Sequence, residues 1–86
     1  MKALLKIVKK IINNPRDVDF NDIKKLLESF GYECTQPKGG SRHFIFRKKG
    51  VDHFSIPKKK PVNEFYVKHI IKLLDLRSWY EENKQN

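Results

Sequence analysis

Gly31 separates two periodicities that one kind of secondary structure cannot satisfy. Before it, Phe20, Ile23, Leu26, Leu27 and Phe30 recur at the three- and four-residue spacing of a helix with one apolar face. After it, apolar and polar residues alternate through 42–47 and 51–56, the period of half-buried strands, and both runs are rich in aromatic and β-branched residues. The helical period returns at Val67, Ile70, Ile71 and Leu74. These elements must share one core, because 86 residues are close to the size at which a single core is only just sufficient. The expected fold is α+β: a three-stranded antiparallel sheet with helices on one face, a two-layer sandwich.

Local signals set the expected boundaries. Leu4, Ile7, Val8, Ile11 and Ile12 give residues 1–14 an apolar helical face, ended by Asn13-Asn14-Pro15. Lysine-rich and lacking both acids and serine, this stretch differs from a transit peptide and reads as a helix packed on the domain. Asp19 is placed to cap the next helix, with Asp22 near its positive end, Val18 and Ile23 forming a hydrophobic staple, and Gly31 closing it. Residues 32–36 form a first strand, followed by a turn at Pro37-Lys38-Gly39-Gly40. For the hairpin, a three-residue Lys48-Lys49-Gly50 loop would set Phe44 opposite Phe54 and Phe46 opposite Asp52. Phe44, Phe46, Phe54 and Ile56 then face the core, while His43, Ile45, Arg47, His53 and Ser55 share the other face. Asn63 caps a last helix reaching about Tyr80, and residues 81–86 are expected to fray. The chain thus reads as a single domain over 1–86, with a leading helix on a core spanning 19–76.

Charge narrows the function. The formal net charge is +9, with an isoelectric point near 9.8, which favours a polyanionic partner. It is also segregated: between Lys38 and Lys60 the only acid is Asp52. No apolar run approaches a membrane span, and no Cys/His spacing matches a zinc site. The single cysteine, Cys34, cannot form an internal disulfide and reads as a small packed apolar residue in a cytoplasmic setting. No P-loop, dinucleotide fingerprint or serine-hydrolase elbow is present.

The residues at 38–47, KGGSRHFIFR, carry the chemistry that remains. RNA cleavage without a metal needs proton transfer at the 2′-hydroxyl and at the departing oxygen. His43 suits such a transfer. Arg42, Arg47, Lys38, Lys58, Lys59 and Lys60 can hold phosphate, Gly39 and Gly40 let backbone approach it closely, and Ser41 or Ser55 can orient the imidazole. The same residues also fit RNA binding without cleavage. Trp79 and Tyr80 fit either a protein-docking surface or packing on the first helix.

Taken in order, Phe20-x-x-Ile23-x-x-Leu26-Leu27-x-x-x-Gly31-Tyr32, then residues 38–47, then Phe54-Ser55-Ile56-Pro57 and Pro61-Val62 before a final helix resemble the HicA toxins. The resemblance covers roughly residues 20–76. It implies an α-β-β-β-α fold similar to double-stranded-RNA-binding domains, with an extra N-terminal helix here. It also implies metal-independent cleavage of mRNA, no cofactor, and a HicB-like antitoxin partner. The family's catalytic histidine lies in a Gly-Ser-His-x-x-Phe-like segment. Alignment on Ile45-Phe46 gives that place to His43, and alignment on Gly40-Ser41 gives it to Arg42. Strand alternation favours His43.

Overall fold

Both changes of period coincide with changes of element in the computed structural model, which describes residues 2–36 and 42–84. Helices α1 (Lys2–Asn13) and α2 (Phe20–Ser29) precede strands β1 (Glu33–Thr35), β2 (His43–Lys48) and β3 (Val51–Pro57), and helices α3 (Glu64–Leu73) and α4 (Leu76–Asn83) follow. The sheet is antiparallel in the order β1-β2-β3. The turn expected at Pro37-Lys38-Gly39-Gly40, together with Ser41, lies outside the described residues.

Gly31 closes α2 as its sequence position requires. Its N–H donates to the Glu28 carbonyl at 3.1 Å, and the Tyr32 N–H reaches the Leu27 carbonyl at 2.9 Å, the paired bonds of a Schellman cap. Gly31 has φ +94°, a backbone region that a side chain rarely adopts. A Cβ there would meet only the Lys48 side chain, 3.4 Å away, so any penalty comes from the backbone. Gly31→Ala is therefore expected to lower unfolding free energy by about 1–2 kcal/mol, read as a lower urea midpoint with an unchanged slope.

The helix-side face of the sheet carries Phe44, Phe46, Phe54 and Ile56, with Cys34 opposite Phe46. Phe46 and Ile56 are buried among Phe20, Ile23, Leu26, Val67 and Ile70. Phe20 meets Phe44 at 4.8 Å between ring centroids, and Phe46 stacks on Phe54 at 5.8 Å. The leading helix also joins this core, burying Val8 and Ile11 completely.

Three expectations change. The hairpin closes on a two-residue Lys49-Gly50 turn with Lys48 paired to Val51, rather than on a three-residue loop. A bulge then sets Asp52-His53 against Arg47, so that Phe46 lies opposite Phe54 and Phe44 opposite Ile56. Gly50 takes the positive φ, +82°, that either turn needs. Secondly, the last helix is two helices. Asp75 adopts the left-handed conformation (φ 49°, ψ 52°) between α3 and α4, and Leu76 turns into the core. Thirdly, residues 81–83 of the expected tail remain helical, where the Asn83 side-chain amide donates to the Trp79 carbonyl at 2.7 Å. Trp79 packs 5.9 Å from Phe30, and Tyr80 is half-buried, so this aromatic pair belongs to the core margin.

Capping also divides by residue. The Asn63 side-chain oxygen accepts from the Phe65 N–H at 2.8 Å. Asp19 occupies the expected cap position, but only its backbone carbonyl serves the helix; its carboxylate makes no capping bond.

Cys34 is half-buried on the helix side of β1. Burial raises its thiol pKa first, the nearby Glu28 carboxylate adds to the rise, and Lys24 partly opposes it. At pH 7.5 this thiol is expected to react with iodoacetamide several-fold more slowly than a free cysteine, because the thiolate is the nucleophile.

Candidate functional site

His43, the first residue of β2, faces away from Phe44, whereas Arg42, in the bend just before the strand, lines a cleft together with Phe44. His43 is exposed on the side of the sheet away from the helices, in line with Ile45 and Arg47 and opposite Pro57. Thr35 and Ser55 lie across from Ile45, so a hydroxyl from each neighbouring strand falls diagonally next to His43 on that face. His53 stands near Arg47, four residues further along, or about 13 Å at strand spacing. That separation is too large for both imidazoles to serve one phosphate. His53 instead joins Glu33, Arg47, Lys48 and Lys49 around a shallow depression by the hairpin turn. His69, in α3, lies 6.2 Å from Phe54 at the other side of the sheet.

Arg42 belongs to a different surface. The Lys58 N–H donates to its carbonyl at 2.7 Å, extending the β2–β3 ladder one step past His43 and Pro57. Four residues later the Val62 N–H donates to the Val18 carbonyl at 2.8 Å, and both valines are buried. These two bonds carry the intervening basic loop from the sheet to the entrance of α2. Between them lies a cleft of about 470 Å³. Arg42, Lys58, Lys59 and Lys60 line it on one side, and the Lys58 ammonium sits 5.9 Å from the Phe44 ring. Asp19, Phe20, Asn21, Gln36 and Phe44 complete the lining.

The expected phosphate-binding set is therefore split. Arg42, Lys58, Lys59 and Lys60 gather in the cleft, while Arg47 stays on the outer face with His43. Lys38, Gly39, Gly40 and Ser41 lie outside the described residues. The two surfaces meet at the end of the hairpin, where consecutive residues supply one group to each. A polyanion crossing that end would be gripped on one side of the sheet and presented to the imidazole on the other.

Asp19, Asn21 and Gln36 were not expected as site residues. The Asp-x-Asn pattern at 19–21 is visible in the sequence, yet it reads as helix-start chemistry. Only the return of the 58–61 loop to Val18 makes it a cleft wall. Among the described residues no three His, Cys, Asp or Glu side chains gather as a metal-binding group, and no helix is long and apolar enough to cross a membrane.

A family model described as "HicA toxin of bacterial toxin-antitoxin" matches residues 20–76. The match begins at the first residue of α2 and ends at the first residue of α4, so it contains the sheet, α3 and the residues of both surfaces except Asp19. No curated protein and no solved structure matches the chain.

Proposed function

Because this chain belongs to the HicA family of toxins from bacterial toxin–antitoxin pairs, we propose that it is a metal-independent endoribonuclease acting on mRNA, with His43 in proton transfer. The observation that carries this reading is the arrangement at the hairpin end: an exposed imidazole on the outer face, with Arg42 next in sequence leading into a cleft lined by three lysines. Held phosphates would fix the strand, and an adjacent 2′-hydroxyl would lie within reach of the imidazole. Proton transfer from that hydroxyl lets its oxygen attack the neighbouring phosphorus. The 5′-oxygen of the next nucleotide departs and takes up a proton, leaving a cyclic phosphate. Arg42, next to His43 in the chain, is the cation nearest in sequence to offset charge on the five-coordinate phosphorus.

The proposed partner is an acidic, HicB-like antitoxin covering the cationic surface, in keeping with the net charge of +9. The proposed setting is the cytoplasm, where mRNA and antitoxin would both be met.

The test is incubation of the purified chain with single-stranded RNA in EDTA. Wild-type protein is expected to yield shorter products with cyclic phosphate ends, and His43→Ala is expected to leave the RNA intact. Intact RNA with both proteins, bound in a salt-dependent manner, would replace the proposal with RNA binding alone. Equal cleavage by both would remove His43 from the mechanism.

A further inference from the structure

Four cations explain why a phosphate would enter the cleft, but they do not explain Asp19. Its carboxylate makes no capping bond and no ion pair of the described residues includes it; its charge is felt at the Lys10 ammonium, while Arg42 and three lysines line the same 470 Å³ space. A phosphate would avoid that carboxylate. A group carrying adjacent N–H donors would seek it.

We propose that the cleft is a nucleotide subsite in which Arg42 and the lysines at 58–60 hold the phosphate and the Asp19 carboxylate selects guanine. The inference rests on the RNA-directed reading above and adds a base preference that the reading leaves open. The cleft volume falls in the range that holds a nucleotide-sized ligand. Guanine offers N1–H and N2–H as two parallel donors, matched to the two oxygens of a carboxylate. Uracil offers one donor flanked by two carbonyls, which a carboxylate repels. Adenine and cytosine place a single amino group beside an unprotonated ring nitrogen. The carboxamide of Asn21, also in the lining, can donate to guanine O6 or N7. Phe44 also lines the cleft, and the Lys58 ammonium over its ring is placed to receive the phosphate.

The test uses the full chain carrying His43→Ala, titrated separately with GMP, AMP, CMP and UMP in EDTA and followed by amide NMR shifts. GMP is expected to bind about tenfold more tightly than UMP, with shifts centred on residues 19–21, 42–44 and 58–60. Adding Asp19→Asn should bring the four nucleotides to near parity while phosphate binding persists. Asparagine remains a good residue at a helix start, so this variant keeps the fold. Adding Lys58→Ala and Lys59→Ala should weaken all four nucleotides alike. Equal affinities before Asp19 is changed, shifts confined to other surfaces, or a guanine preference that survives Asp19→Asn would each overturn the assignment. No bond is cut in this titration, so its result is independent of whether His43 cleaves RNA.

Discussion

Phe46→Ala is expected to unfold a large share of the chain near 37 °C. Phe46 has no solvent exposure, sits in the central strand, faces Cys34 and Phe54 across its two pairings, and lies 6.2 Å from the Phe20 ring. Truncating such a phenylalanine costs about 3–5 kcal/mol, because the lost transfer energy is joined by a cavity that the flanking strands and α2 cannot collapse into. The total stability of an 86-residue domain is roughly 4–13 kcal/mol, so this one change removes a large fraction of it. Thermal unfolding followed by circular dichroism should show the midpoint falling by about 15–30 °C. Ile45→Ala is the matched control: Ile45 is adjacent in sequence, half-buried, and on the opposite face. It should lower the midpoint by only a few degrees. Comparable losses for the two variants would mean that the sheet does not have one buried face and one open one.

That two-faced character was legible because alternation fixes which side chains share a face. It does not fix register. The expected pairing set Phe44 opposite Phe54; the structure sets it opposite Ile56. Both arrangements bury the same four residues, since they differ by an even number of positions. Apolar patterning therefore could not discriminate between them. Gly50 could not decide either, because both turns place it at positive φ.

The break at Asp75 carries no glycine or proline to announce it. Its one trace is a slip of phase: Leu74 completes the stripe of Val67, Ile70 and Ile71, and Leu76 then comes two residues later, off the helical repeat. An aspartate tolerates the left-handed conformation better than most residues, so the chain can turn there and return Leu76 to the core.

The cleft was the least legible feature. The lysines at 58–60 read as a basic loop able to hold phosphate, but the bond from Val62 to Val18 that brings them beside Asp19 joins residues 44 apart. By contrast, His43 and Phe44 fall on opposite faces by alternation within one strand, and Arg42, in the bend before it, shares the Phe44 side. Sequence periodicity can express the second relation, whereas only tertiary packing creates the first.

That opposition leads to the prediction with the largest effect on activity. If His43 moves a proton and Arg42 holds phosphate, substitutions at adjacent positions should fail in different ways. His43→Ala should lower kcat by about 10²–10⁴-fold while leaving RNA affinity close to wild type, since the ring is exposed on the outer face. The corresponding barrier change is about 3–5 kcal/mol. Arg42→Ala should instead weaken RNA binding and lower the dependence of log K on log salt by about 0.7, as one phosphate contact is lost. Lys58→Ala should behave like Arg42→Ala, because both side chains line the cleft. Single-turnover cleavage and equilibrium binding, each measured across a salt series, separate the two kinds of failure. A His43→Ala protein that cuts at the wild-type rate but binds RNA weakly would make the imidazole a gripping group. A rate loss at Arg42 as large as that at His43, with binding intact, would move the catalytic place one residue back, to the side of the sheet that faces the cleft.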